Sequence, residues 1–366
     1  MKRLYLFVLL AVVSSILKAQ PLAQRLDSLL FNDPMLRTSE VGITVFDLTT
    51  GESLFQYQDE KLYRPASTEK VVTSVTALAT LGLDYTMDTR LQYTGKIEGD
   101  TLKGNLYLVG GFDPEFMDED LDSLVDVIAQ SGIRYIADTL AADVSMMDSV
   151  YWGNGWSWDD VPDSFQPYMS PLMLNRGCVD VTVIPAEKDS LPIIECVPAS
   201  DYYQVDNDGV SNNPQAGPLR ITRNWLHNGN LIHVSGNVSK KTTRTLSIYT
   251  SKDFFFHTFI NRLKEKGIEA NTTAFADCPK NDSLRVVSPL FTLQRPIGEV
   301  LTQMMKESDN LCAESMFYHL ALHHTQQKRV TDNDGSDAIN HFVKESLGLN
   351  PEYYNIVDGS GVSLYN

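Results

Sequence analysis

Apolar and polar positions alternate from Val41 to Asp47 and again from Ser53 to Tyr57, on either side of Leu48-Thr49-Thr50-Gly51, which predicts a β-hairpin closed by a turn. The period then changes. Val71, Val72, Val75, Leu78 and Leu81 recur at helical spacing before Gly82, so a helix is predicted over 71–81, opened by Ala66 and Ser67 after Pro65 and packed on the sheet that the hairpin edges. From about Asp84 the texture is one of short strands and turns: Arg90 to Tyr93, Gly95 to Asp100, then Gly104 to Gly111. It stays mainly β to about Val287, with helices expected near Asp120 to Ser131 and Phe254 to Lys266. After Pro289 helical spacing returns. Ile297, Val300, Leu301 and Met304 mark a helix over 296–305, Leu311 to His323 form a second, and Asp337 to Leu347 form a third, capped by Ser336 and stopped by Gly348. The simplest account is an α+β protein in which both ends of the chain, 21–85 and 289–366, build one domain. Residues 86–288 then form a mainly β insertion with room for two nested subdomains.

Met1-Lys2-Arg3 followed by the apolar run Leu4 to Ile16 reads as a signal peptide over 1–20, too short to span a bilayer with these flanks. The expectation is a periplasmic or otherwise exported protein, peripheral to a membrane at most. The net charge of −17 becomes three units more negative once Lys2, Arg3 and Lys18 are removed, which sets nucleic acid aside as a partner. Four cysteines remain in a compartment that permits disulfides. Cys178 and Cys196 are nearest in sequence and are the favoured bridge, although the sequence does not choose among three pairings. None has Cys-x-x-Cys spacing. His319 and His323 share a helix face beside His324, but without a His-Glu-x-x-His arrangement they read as a helix end facing solvent, and no metal or other cofactor is expected.

Ser67 precedes Lys70 by three residues, one turn along the predicted helix, so a lysine amine would lie beside a serine hydroxyl near a helix N-terminus that favours negative charge. That arrangement activates serine without histidine. The spacing alone is weak, since Ser15 and Lys18 share it inside the targeting segment. A second group is Ser308-Asp309-Asn310, in a tight link between two helices, where a hydroxyl and an amide can face a cleft. Ser211-Asn212-Asn213 and Ser235-Gly236-Asn237 have the same spacing but sit in Gly- and Asn-rich turns. Gly359 and Gly361 allow Asp358 and Ser360 to approach another element closely, as part of an active-site wall. Trp156, Trp158, Asp159 and Asp160 form a candidate pocket for a substrate side chain, and Asp113-Pro114 reads as a turn.

Ser67-x-x-Lys70 with Ser308-Asp309-Asn310 resembles two of the three motifs of the penicillin-binding proteins and serine β-lactamases. With Gly110 to Pro114, Gly155 to Asp160, Ser308 through Glu314 and the segment Asp358-Gly359-Ser360-Gly361, the chain is similar to the class C low-molecular-mass penicillin-binding proteins, the D-alanyl-D-alanine carboxypeptidase/endopeptidase family, peptidase family S13. The resemblance implies a serine β-lactamase/transpeptidase-like catalytic domain and an acyl-enzyme on Ser67, formed with peptidoglycan stem peptides and with β-lactams. It casts Lys70 as the base, Ser308 as the proton relay to the leaving D-alanine, and Asn310 as the group that orients substrate and lysine, with Asp358, Gly359 and Ser360 beside the substrate. Lys70 must then be partly neutral, which desolvation and nearby positive charge would arrange. The third motif of the family, Lys-Thr-Gly, is expected after Gly361 and is not found before Asn366, while Lys241-Thr242-Thr243 lacks the glycine and lies in the insertion. The reading favoured here is a truncated carboxypeptidase. The alternatives are a catalytically impaired wall-binding paralogue and, lower, a β-lactamase, since those are usually shorter and lack so large an insertion.

Overall fold

The computed structural model describes residues 21–282 and 286–366, and the expected signal peptide lies outside them. Among the described residues no helix is long and apolar enough to cross a membrane. The chain divides into two units, one ending at Arg64 and the other running from Pro65 to Asn366.

The first unit holds helix α1 (Leu22–Asn32) and strands β1 (Ile43–Asp47) and β2 (Glu52–Tyr57). The strands pair antiparallel, with Asp47 accepting from the Thr49 amide at 2.8 Å and Gly51 at φ 74° closing the turn. The predicted hairpin is thus present, but as a two-stranded sheet of its own and not as the edge of a larger one.

In the second unit the order is α2 (Glu69–Leu81), β3 (Thr86–Thr94), β4 (Lys96–Glu98), β5 (Thr101–Lys103), β6 (Leu106–Val109), α3 (Asp118–Gln130) and β7 (Tyr135–Asp143). It continues with β8 (Cys178–Ile184), β9 (Ile193–Val197), β10 (Gln204–Ser211), β11 (Arg220–Arg223), β12 (Leu231–Val238), β13 (Thr242–Ser247), α4 (Ser251–Glu265) and β14 (Glu269–Phe275). It closes with β15 (Val287–Pro296), α5 (Ile297–Lys306), α6 (Asn310–Thr325) and α7 (Asp332–Leu347). A seven-stranded sheet has the order β15-β3-β6-β7-β5-β4, with β14 also on β7, and two three-stranded sheets, β10-β12-β11 and β13-β8-β9, lie beyond it.

Two cores follow from this order. Leu121, Leu124, Val125 and Ile128 place a continuous apolar stripe of α3 in the first, against Leu91, Leu106 and Leu108 of the sheet and Phe254, Phe255 and Phe259 of α4. The second is helical, and α6 is its axis: every residue from Leu311 to Ala321 is buried, as expected of a helix apolar nearly all round. The Asp309 side chain caps α6 by accepting from the Cys312 amide at 2.8 Å, and α7 is capped by Thr331 with Asp334, five residues before the expected Ser336. Gly348, in the left-handed region at φ 67°, stops α7 as the sequence indicates.

Two expectations are corrected. On α2 the apolar residues Val71, Val75 and Leu78 are exposed, while Glu69, Lys70, Thr73, Thr76 and Ala77 are buried. Thr73 finds a partner in the Gly359 carbonyl and Thr76 in that of Val72, so this part of the polar face can enter the core, whereas the buried Glu69 Oε1 has no hydrogen-bond partner among the described residues. Cys178 and Cys196 are free thiols. In the β8–β9 register Cys196 stands opposite Val181, and Cys178, an odd number of residues away, points to the other face of the sheet.

His319 parts from its neighbours. It is buried in α6 between the Tyr85 hydroxyl, 2.8 Å from Nδ1, and the Gly111 carbonyl, 2.9 Å from Nε2, while His323 and His324 stay exposed. A neutral ring satisfies both contacts, accepting from tyrosine and donating to the carbonyl. Burial pushes its pKa down to about 4. The unfolded chain therefore binds the extra proton first as pH falls below about 6.5, and stability is lost between there and pH 4, by up to about 3 kcal/mol from this group. Urea unfolding of wild type and His319→Gln across that range should show a shallower pH slope in the variant. Equal slopes would refute a neutral buried His319.

Candidate active site

Ser67 sits in a short 3₁₀ turn, Ala66–Thr68, that runs directly into α2. Thr68 closes this turn by donating its hydroxyl to the Pro65 carbonyl at 2.6 Å, and Ala66 adopts a left-handed backbone at φ 47°. The turn leaves the Ser67 side chain exposed, and one helical turn on Lys70 is 2% exposed.

The Lys70 amine meets three oxygens: Ser67 Oγ at 3.1 Å, Asn310 Oδ1 at 2.7 Å and the Ser360 carbonyl at 2.9 Å. The last two can only accept. A neutral amine has two N–H groups to give them and one lone pair left, which then faces the serine hydroxyl. Asn310 cannot offer its amide nitrogen instead, because Nδ2 donates to the Phe165 carbonyl at 3.0 Å.

The electrostatics agree in part with the expectation from sequence. Burial lowers the Lys70 pKa from the ordinary lysine value, as supposed. The groups around it, however, are acids, Glu314, Asp358 and Asp309, which work against that shift, so nearby positive charge plays no part; burial and then Asp358 push the Glu314 carboxyl itself well above the ordinary range. Glu69, also buried, is pushed up to about 7 by burial and then by Asp358.

The 358–361 segment forms one side of this site. Asp358, 2% exposed, accepts from the indole N–H of Trp156 at 2.9 Å, the Ser363 amide at 2.6 Å and the Gly361 amide at 2.8 Å. Gly361, at φ 79°, passes so close to the Ser67 turn that a β-carbon there would lie 1.8 Å from the Ala66 carbonyl oxygen. Gly359 is similarly pressed on α6, where a β-carbon would lie 2.5 Å from the Ala313 carbonyl. The close approach anticipated from the two glycines is what holds Ser360 over Lys70.

Ser308 lies in the link between α5 and α6, exposed and left-handed at φ 56°. Its hydroxyl makes no hydrogen bond among the described residues. It borders a cavity of about 400 Å³ that Asn310, Phe165, Arg176, Asp180 and Thr245 also line. Arg176 pairs with both Asp309 and Glu115 across the base of that link. Burial raises the Asp309 carboxyl, but Arg176 and the Cys312 amide outweigh it and hold the pKa below the ordinary range.

The Trp156–Asp160 quartet is divided. Trp156 is buried with its N–H committed to Asp358, whereas Trp158 is 65% exposed and packs on Trp225 at 5.2 Å. Asp159 is exposed and Asp160 half-buried beside it. Sequence reasoning missed Thr73, Phe165, Arg176 and Glu314 as neighbours of the site. Glu314 was signalled as the one acid within an otherwise apolar helix, four residues after Asn310 and so on its face, and Thr73 by lying three residues after Lys70.

A model of the family described as "D-Ala-D-Ala carboxypeptidase 3 (S13) family" matches residues 22–366. The D-alanyl-D-alanine carboxypeptidase DacB of Haemophilus influenzae is 25% identical over 90% of this chain and 68% of its own length. The D-alanyl-D-alanine carboxypeptidase of Actinomadura sp. is 27% identical over 94% of this chain and 65% of its own. This chain thus spans about two thirds of the length of these relatives. The crystal structure of penicillin-binding protein 4 (dacB) from Haemophilus influenzae superposes with a TM-score of 0.77 at 24% identity, covering 93% of this chain and 74% of that one. The same protein complexed with a novel β-lactam gives a TM-score of 0.70 at 24% identity, over 89% and 70%. These likenesses show the fold: the α+β, transpeptidase-like architecture expected from the motifs is the one observed.

Gly361→Ala tests the packing of the 358–361 segment on the Ser67 turn. Strain at a left-handed backbone together with the clash at Ala66 should cost about 2 kcal/mol or more of unfolding free energy. Denaturant titration reads this directly, and a stability equal to wild type would show that the two segments are not in contact.

Proposed function

Because this chain belongs to the D-Ala-D-Ala carboxypeptidase 3 (S13) family, we propose that it is a serine carboxypeptidase/endopeptidase that cleaves D-Ala-D-Ala stem peptides of peptidoglycan through an acyl-enzyme on Ser67, and that β-lactams acylate the same oxygen. The observation that carries this reading is the Lys70 amine, 3.1 Å from Ser67 Oγ with its remaining contacts on two acceptor-only oxygens. A base so held has its lone pair free for one partner, the serine hydroxyl.

In the proposed reaction Lys70 takes the Ser67 proton while Oγ bonds to the carbonyl carbon of the penultimate D-alanine. The tetrahedral adduct collapses, the peptide C–N bond breaks, and the departing amine receives the proton from Lys70 by way of the Ser308 hydroxyl. Water then adds to the ester with Lys70 as base, releasing the shortened peptide as a carboxylic acid and restoring Ser67. An amine from a neighbouring stem peptide in place of water gives transpeptidation. Asn310 orients Lys70 and offers its amide edge toward the substrate side of the cleft. Asp358, Gly359 and Ser360 form the wall beside the bound peptide, and Trp158, Asp159 and Asp160 face a substrate side chain.

We place this activity outside the cytoplasm, with residues 1–20 as the export signal, and read residues 86–288 as an insertion between the two ends that supply Ser67, Lys70, Ser308 and Asn310. Mass spectrometry after incubation with a fluorescent penicillin should locate the label on Ser67 and find none on a folded Ser67→Ala variant. The labelling rate should rise with pH, because the base is the neutral amine, with a midpoint below the ordinary lysine value of 10.5. A folded wild-type chain that takes no label would instead favour a wall-binding role without catalysis.

A further inference from the structure

We propose that Glu314, which belongs to neither motif, is a positioning residue for Lys70 that acts through the backbone of Ser360, with Thr73 as its counterpart across the same peptide. The inference rests on the reading of Lys70 as the base for Ser67.

Three consecutive peptide groups carry the argument. The 358–359 peptide gives its N–H to Glu314 Oε2 at 3.4 Å. The 359–360 peptide is held at both ends, its N–H on Glu314 Oε1 at 3.0 Å and its carbonyl by the Thr73 hydroxyl at 2.8 Å. The 360–361 peptide has its N–H on Asp358 at 2.8 Å, which leaves its carbonyl, the Ser360 oxygen, to receive Lys70 at 2.9 Å. The peptide just before that acceptor is therefore fixed by a carboxyl from α6 and a hydroxyl from α2, the helix that also carries Lys70, and the acceptor's own peptide by Asp358.

Nothing else in α6 accounts for Glu314. It is 2% exposed in a stretch where every neighbour is buried, and a carboxyl there is costly unless its oxygens are used. Both oxygens are used, and both on this one segment. Without Glu314 the 359–360 peptide keeps only Thr73, and the Ser360 carbonyl is left with Asp358 alone holding its peptide. One of the two acceptors that turn the Lys70 lone pair toward Ser67 is then less firmly placed. The ionisable groups around this point are Lys70 and Glu69 from α2, Asp309 and Tyr318 from α6 and its cap, and Asp358 and Tyr354 from the segment before and within the wall.

The test uses the full chain and two readouts: the rate of Ser67 labelling by a fluorescent penicillin across pH, and the Lys70 side-chain titration followed by NMR with labelled lysine. Glu314→Ala should slow labelling by about 10- to 100-fold. It should also move the rising limb of the profile and the Lys70 titration to lower pH, because the ammonium loses a fixed acceptor. Glu314→Gln keeps an oxygen for the Ser360 amide and should stay within about threefold of wild type, whereas Thr73→Val, of nearly the same volume, should slow labelling by about 10-fold. A residue that merely fills α6 would change stability and leave the Lys70 titration alone. Folded Glu314→Ala and Thr73→Val proteins with the wild-type rate and titration would overturn the proposal, and if the alanine variant does not fold, Thr73→Val decides by the same criterion. Should wild type take no label, the proposed function falls. The Lys70 titration still judges the positioning role, a downward shift in the variants supporting it and an unchanged titration ending it.

Discussion

Burial strips the Lys70 amine of water and favours its neutral form, while the acids packed around it pull the other way. Lys70 is buried with Glu314, Asp358 and Asp309 around it, and the cost of that placement is met by oxygens that accept from it. Much of the second unit serves this one contact. Helix α2 turns its polar face inward to bring the amine there, α6 supplies Asn310 and Glu314, and the 358–361 segment is compressed between the two helices at its glycines. The left-handed Ala66 and Ser308 sit at the points where the chain must turn abruptly to deliver a side chain, as expected where a site imposes its own geometry on the backbone.

The elements with regular periodicity were legible from the sequence. The hairpin, the helix ahead of Gly82, the two helices of the mainly β stretch and the three later ones are all present close to where the hydrophobic spacing places them. What failed was the choice of face. Val71, Val75 and Leu78 look like a core stripe on α2, yet the helix buries Lys70, Thr73 and Thr76, because hydrogen bonds across 286 residues of sequence, such as Thr73 to Gly359, make a polar face the one that fits. Proximity along the chain misled in the same way at Cys178 and Cys196, where strand register and the alternation of side chains decide the outcome.

Within the site, the motifs were readable because local spacing fixes them: Lys70 follows Ser67 by one helical turn, and Asn310 begins a helix capped by its neighbour Asp309. The groups that were not readable are those whose partners are backbone atoms. Phe165 contributes only a carbonyl, Glu314 binds two amides, and Arg176 acts by pairing with Asp309 and Glu115 beneath the loop. Side-chain identity carries little trace of such roles. Trp156 and Trp158, adjacent in pattern, part because one indole N–H is taken by a buried carboxylate and the other is left at the surface beside Trp225.

The acceptors of the Lys70 amine lie 240 and 290 residues further along the chain. A nascent polypeptide therefore carries its serine and lysine through at least 240 further residues without the groups that orient them. The arrangement around the amine closes only when the stretch around Ser360 has been made and gripped by both helices, so that on the proposed reading a partly made or still unfolded molecule has no oriented base.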